Sequence, residues 1–111
     1  MLFDFLRKKD DIIKEVEHPV THTGADGMPV EDVFTIKGRG TVVTGRVEGT
    51  IMMNDQARIL RGDAVIAQTR ITGIEAFHKT LDMAEDGDNA GLLLEGIARD
   101  DVQRGDYIEI I

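Results

Sequence analysis

The sequence contains no cysteine and no tryptophan, and its aromatic side chains are limited to one tyrosine and four phenylalanines. The missing thiols exclude disulfides, thiolate metal sites and cysteine nucleophiles. Valine, isoleucine and leucine must therefore fill most of the core. No run reaches about 18 apolar residues, which excludes a transmembrane helix. Residues 1–10 lack the apolar stretch and cleavage site of a secretory signal, so we expect a cytoplasmic protein.

Basic charge is scarce. Thirteen lysines and arginines face twenty-one acidic residues, which gives a net charge of −8 and a pI near 4.7. This balance argues against non-specific nucleic-acid binding, which depends on a basic surface. The hydrophobic content of 41% is near the globular average, and 111 residues suffice for one domain.

Residues 1–27 differ in pattern from the rest of the chain. Apolar side chains at helical spacing alternate with charged ones and predict a short amphipathic helix, which needs a surface to dock on. The apolar stripe comprises Leu2, Phe5, Leu6, Ile12, Ile13 and Val16, and the opposite side carries Arg7, Lys8, Lys9, Asp10 and Asp11. Residues 18–27 have the composition of a linker. We therefore predict a short mobile or helical N-terminal segment over residues 1–27.

From Met28 onward, short β-branched runs alternate with turn residues. The runs are 33–36, 41–47, 58–60, 65–77, 92–97 and 107–111. Glycine, asparagine and aspartate separate them, as in Arg61-Gly62-Asp63 and Arg104-Gly105-Asp106. Six strands at this spacing predict an all-β domain over residues 28–111, folded as a six-stranded antiparallel closed β-barrel.

No constellation in the sequence supports an enzyme. The glycine cluster at residues 38–46 leads into a β-branched run instead of a helix and lacks the Lys-Ser/Thr pair of a phosphate loop. We interpret it as a strand-connecting turn with a kink, and expect no GTP binding. His18 and His22 have no third ligand nearby, His78 has no neighbouring nucleophile, and the acidic residues 82–88 are typical of a solvated loop. We predict no catalytic residue, no metal and no cofactor.

Several stretches together resemble domain 2 of bacterial elongation factor Tu. They are MPVEDVFTIKGRGTVVTGRVEG (residues 28–49), TGIEAFHKTLD (72–82), GDNAGLLLEG (87–96) and IARDDVQRGDYI (97–108). In that family a six-stranded antiparallel barrel sits between a GTPase domain and a third, also β, domain. The resemblance therefore implies a barrel that acts in translation elongation without an enzymatic activity of its own, here expected as a stand-alone domain.

The resemblance also implies an RNA-binding site, since the family's barrel binds the aminoacylated 3′ end of transfer RNA. Glu75 matches the acidic residue that holds the terminal ribose hydroxyl, and Ile36, Val42 and Leu93 match the apolar lining of the terminal adenosine pocket. Positions around the aminoacyl group are matched by Glu31, Asp32, Phe34, Thr44 and Asn89, with Phe77 at the edge. Apolar cover of a base and contact to a 2′-hydroxyl are the usual means of recognising a single-stranded RNA end. Alternatively, Ile36, Val42 and Leu93 are core or rim residues of any such barrel.

Three departures from the family each remove positive charge. His78 and Glu95 stand where arginines are usual, and the arginine that normally follows Glu48 is absent. From Glu31 onward, nine basic residues face fifteen acidic ones. The expected partners are aminoacyl-tRNA or ribosome components, bound weakly. The alternative is a repurposed protein-interaction domain that uses the barrel as a scaffold, with the amphipathic start docking a protein or membrane surface. A basic stripe near Glu75 and His78 would favour RNA, and a continuous acidic face would favour a basic protein partner.

Overall fold

A computed structural model describes residues 26–111, which form an all-β domain with one turn of 3-10 helix at Arg99–Asp101. The helix predicted for the N-terminal segment lies outside these residues. The ten strands are β1 (Gly27–Pro29), β2 (Asp32–Ile36), β3 (Gly40–Arg46), β4 (Ile51–Met52), β5 (Gln56–Arg61), β6 (Ala64–Ala76), β7 (Lys79–Thr80), β8 (Met83–Ala84), β9 (Asn89–Leu94) and β10 (Tyr107–Ile110).

The prediction of six strands is wrong in number, although each predicted run coincides with a strand. The six runs correspond to strands β2, β3, β5, β6, β9 and β10. The four additional strands contain only two or three residues each. A segment this short cannot display the two-residue alternation by which a strand is recognised in a sequence. One of them, β8, lies within the acidic stretch interpreted as a loop.

All strand pairs are antiparallel, and the main sheet has the order β1-β10-β5-β6-β9-β3-β2. The thirteen-residue β6 holds it together, because its first half pairs with β5 and its second half pairs with β9 and β7. The register shifts between Ile71 and Gly73, so Thr72 forms a bulge at this change of partner. Strands β4 and β8 form a separate two-stranded sheet.

The predicted closure of the barrel is also wrong. The order ends at β1 on one side and β2 on the other, and no pairing joins these two strands in residues 26–111. An isolated bridge between Gly27 and Glu48 joins β1 to the chain that follows β3. Two arginine side chains lie along the edge of β2 instead. Arg99 donates to the Val33 carbonyl of β2 at 3.4 Å, and Arg104 donates to the carbonyl of Glu31, just before β2, at 3.0 Å.

The core lies between the two halves of the folded sheet and is aliphatic, as the shortage of aromatic residues requires. Its fully buried large members include Met28, Ile51, Ile59, Ile71, Ile74, Leu92 and Ile108. The predicted turn in the glycine cluster is present, with positive φ at Gly38 (78°) and Gly40 (125°). Gly45 lies within β3 for a different reason, since a Cβ there would collide with the Pro29 carbonyl.

Candidate functional site

Most residues singled out by the family resemblance lie on one face of the sheet formed by β2, β3, β9 and β6. Along these strands Val43, Leu92 and Ile74 are opposite one another and belong to the core. Successive side chains point to opposite faces of a sheet, so the residues between them project away from the core. We call this second surface the outer face. It carries two cross-strand rows, one apolar and one polar.

The apolar row comprises Phe34, Val42 and Leu93, which follow one another across β2, β3 and β9. Val42 is fully buried and Leu93 is 8% exposed, yet neither belongs to the main core cluster. Ile36 pairs with Gly40, and a Cβ on Gly40 would lie 3.8 Å from the Leu93 Cδ1 atom. Val42 and Leu93 are therefore buried on the outer face, separate from the core, and the half-buried Phe34 and Ile36 extend this apolar strip.

The polar row comprises Asp32, Thr44, Gly91 and Glu75, which pair in that order across the four strands. Glu75 is fully buried and Thr44 is 1% exposed. Within residues 26–111 the Thr44 hydroxyl has no hydrogen-bond partner. Gly91 places no side chain between Thr44 and Glu75. Neighbouring strands are about 4.8 Å apart. Since β9 lies between them, β3 with Thr44 and β6 with Glu75 are separated by roughly 10 Å.

The remaining predicted residues lie at the margin of this face. Asn89 is the first residue of β9 and pairs with Arg46. It is separated from Gly91 and Leu93 by an even number of residues, so it belongs to the same face of the sheet. Glu31 is exposed just before β2. Phe77 is 60% exposed in the turn between β6 and β7, next to His78. The fold thus gathers the residues predicted for the adenosine and ribose contacts and much of the predicted aminoacyl set on one face, while Glu31 and Phe77 lie at its margin.

Glu95, one of the departures from the family, forms an ion pair within the domain. Its two carboxylate oxygens accept hydrogen bonds from Arg70 Nε and Nη2, each at 3.1 Å, and Arg70 Nη1 donates to Asn54 Oδ1 at 2.6 Å. The hydrogen bonds from Arg70, and then its charge, lower the pKa of the Glu95 carboxyl. The negative charge at this position is therefore matched by an arginine on the neighbouring strand.

The arginine missing after Glu48 has a steric explanation. Gly49 occupies this position with φ of 78°, and a Cβ there would collide with the Asp26 carboxylate.

The neighbouring Glu48 accepts a hydrogen bond from the Tyr107 hydroxyl, and the distance from that hydroxyl to Glu48 Oε1 is 2.7 Å. Burial of the phenol, together with this hydrogen bond, raises the pKa of Tyr107.

The family model of elongation factor Tu domain 2 matches residues 40–109, which include β3 to β9 and most of β10. The chain belongs to the elongation factor Tu domain 2 family. The matched range contains Val42, Thr44, Glu75 and Leu93, and so covers the centre of the outer face. In this family GTPase activity lies in a different domain, and domain 2 is a non-catalytic β-domain.

A concavity of about 350 Å³ lies beside β2, and the sequence reasoning missed it. It is lined by Asp32, Val33, Arg99, Val102, Gln103 and Arg104. Both of its arginines, Arg99 and Arg104, lie in the stretch IARDDVQRGDYI. These two basic residues were the one feature of the sequence that could have pointed to the concavity. Arg104 also pairs with Asp32 at 3.2 Å.

Residues 26–111 contain neither a candidate metal site nor a candidate membrane-spanning helix. No group of three or more histidine, aspartate or glutamate side chains in this region could hold a metal ion. Within the same residues, no helix is long enough and apolar enough to cross a membrane.

Proposed function

We propose that this member of the elongation factor Tu domain 2 family is a non-enzymatic binding module whose outer face accepts the aminoacylated 3′ end of transfer RNA. The observation that carries the proposal is the convergence of the matched residues on one face. An apolar strip with Val42 and Leu93 buried at its centre lies beside a polar row in which a buried hydroxyl and a buried carboxylate flank a glycine.

Each row suits one part of an RNA end. The apolar strip of Val42, Leu93 and Ile36 offers cover for the face of the terminal base. A carboxylate such as Glu75 accepts a hydrogen bond from a ribose hydroxyl, and the Thr44 hydroxyl can donate or accept next to it. The ligand would therefore be held by its terminal nucleoside, with little contribution from phosphate contacts.

We expect this binding to be weak. One base pocket contributes about 1–3 kcal/mol, by comparison with base stacking on aromatic side chains. Micromolar affinity requires roughly 8 kcal/mol. The surplus of acidic residues from Glu31 onward also repels an RNA backbone, and this repulsion is longest in range at low salt.

The direct test is an NMR titration of the full chain with a short aminoacylated CCA-ended RNA. We expect the largest shift changes at Val42, Thr44, Gly91 and Leu93, and their loss in Glu75→Gln and Leu93→Ala. Val65→Ala is the matched control, because Val65 is half exposed at the far end of β6. Shift changes confined to the concavity near Arg99 and Arg104 would contradict the proposal.

Charge provides a second test. Changing Glu95→Arg together with His78→Arg should strengthen RNA binding, more so at low salt, because the first change also releases Arg70 from its ion pair. Glu95→Gln separates these effects, since it releases Arg70 without adding a cation. If neither change strengthens binding, the face does not serve an RNA.

A protein-interaction domain remains the second candidate. The exposure of three large apolar side chains favours it: Met52 is 50%, Met83 40% and Phe77 60% exposed. In that case the titration with RNA would give no saturable change.

A further inference from the structure

The first part of β6 has a strand partner on one side only. Residues 64–68 run along β5, whereas β9 pairs with β6 only from Ile71 onward. Within residues 26–111 no strand covers the side of this stretch that faces away from β5. We call residues 64–68, on that side, the open edge. An uncovered edge presents backbone N–H and C=O groups that can pair with a strand of another chain.

The open edge is uncharged and largely apolar. Its sequence is AVIAQ, in which Val65 is 50% and Ile66 37% exposed. The register of the β5–β6 pair shifts at Ile66, which forms a bulge. A bulge interrupts the alternation of side chains, which explains why two neighbouring apolar residues are both exposed. Edge strands are usually protected by charged side chains, and this one has none.

Charge is balanced around the open edge, unlike in the chain as a whole. The β5–β6 hairpin, residues 56–70, contains three arginines and one carboxylate, Asp63. Each arginine forms an ion pair with a carboxylate from outside the hairpin: Arg58 with Glu109, Arg61 with Asp106 and Arg70 with Glu95. Two copies of a chain with a net charge of −8 repel each other in general. A second copy meets little of this repulsion at the hairpin.

An antiparallel arrangement allows the open edge to pair with itself. When a two-fold axis passes through Ile66, Val65 of one copy lies opposite Ala67 of the other, and Ala64 lies opposite Gln68. None of these pairs places like charges directly opposite one another, which would be destabilising. The two Asp63 side chains come to lie at opposite ends of the contact, roughly 20 Å apart. The open edge is thus self-complementary, as a two-fold interface requires.

We propose that the chain forms a two-fold dimer in which the open edges of two copies pair antiparallel and cover Val65 and Ile66. The contact is short, because five residues extend about 17 Å and the bulge twists the strand. A standard interface involves about 20–30 residues on each side. We therefore expect a weak dimer, populated at millimolar and dissociated at micromolar concentration. Glu75 lies in the second half of β6, so a failure of RNA binding would leave this contact unaffected.

Sedimentation equilibrium and NMR spectra of the full chain over the same range of concentrations test the proposal. We expect the apparent mass to approach that of a dimer at millimolar concentration, with amide shifts changing at residues 64–68. Mixing isotope-labelled with unlabelled copies then identifies the contact, because filtered NOE spectra report only contacts between copies. We expect such NOEs between Val65 of one copy and Ala67 of the other. A monomer at millimolar concentration, or NOEs centred on Met52 and Met83, would overturn the proposal.

Two lysine variants separate the open edge from the overall charge. Val65→Lys should weaken association about tenfold, because it brings like charges together on a paired edge. Ile111→Lys is the matched control, since Ile111 is 64% exposed and the change adds the same charge away from the open edge. It should leave association unchanged or strengthen it, because the net negative charge falls. Unchanged Ile74 and Leu92 methyl signals verify that both variants are folded, and equal weakening by both would contradict the dimer.

Discussion

At the scale of single residues, Asp106 is a buried carboxylate that accepts several hydrogen bonds. It is 1% exposed and accepts hydrogen bonds from Arg61 Nε at 2.8 Å, Arg61 Nη2 at 2.9 Å and the Gln103 amide at 2.8 Å. Its carbonyl also accepts from the Val30 amide at 2.8 Å. The residue therefore connects β5, the loop before β10 and the chain between β1 and β2.

We predict that Asp106→Asn lowers the free energy of unfolding by about 2–3 kcal/mol, because charge-assisted hydrogen bonds to a buried acceptor are lost. Urea denaturation measures the change. Glu109→Gln is the matched control, since Glu109 of β10 also pairs with an arginine of β5, Arg58, but is more exposed than Asp106. That change should cost less than about 1 kcal/mol. Equal losses for both variants would contradict the role given to Asp106.

The same carboxylate should make stability depend on pH. Burial by itself would raise the pKa of Asp106, but the hydrogen bonds from Arg61 and Gln103 and the charge of Arg61 outweigh it and lower the pKa. The stabilisation is then complete above the ordinary carboxyl pKa of about 3.9 and is lost as the pH falls through the lower folded-state value. Urea unfolding between pH 2 and 6 should reveal this loss, and Asp106→Asn should flatten it.

At the scale of structural elements, the turn between β6 and β7 is strained. Phe77 and His78 both have positive φ, 53° and 62°, although neither is a glycine. Two successive left-handed residues characterise a type I′ hairpin turn, for which asparagine and glycine are preferred. A bulky residue in this conformation costs about 1–2 kcal/mol.

We predict that Phe77→Asn stabilises the domain by about 1 kcal/mol, equivalent to a rise in Tm of about 4–8 °C for a domain of this size. Phe77→Ala is the control, because alanine loses the ring without tolerating the left-handed conformation better. Thermal unfolding followed by circular dichroism measures both. A lower Tm for the asparagine variant would show that the Phe77 ring stabilises the turn.

At the scale of the whole molecule, the fold offers no cradle for a nucleotide phosphate in its glycine cluster. Such cradles place backbone N–H groups at the start of a helix, whereas Gly40 and Gly45 lie in β3. We predict no saturable chemical-shift change with GTP and magnesium at micromolar concentrations, measured by NMR on the full chain. Specific shifts at residues 38–46 would contradict this.

Much of the domain follows from the sequence itself. The β-branched runs identify six strands, because alternation and bounding turn residues act locally. The positive φ of Gly38 and Gly40 follows from the same local signals. The family resemblance also selects Val42, Leu93, Thr44 and Glu75, since those residue types recur in a recognisable order.

Tertiary structure alone decided which residues meet and where the sheet ends. The bulge at Thr72 determines that Glu75 faces outward beside Gly91, and a one-residue change in register would turn it into the core. The two-residue strands exist only because partners distant in sequence pair with them. The carbonyls of Glu31 and Val33, at the β2 edge, find their donors in Arg104 and Arg99, more than sixty residues away in the sequence. Glu95 likewise acquires its partner Arg70 through the β6–β9 contact, which no local pattern encodes.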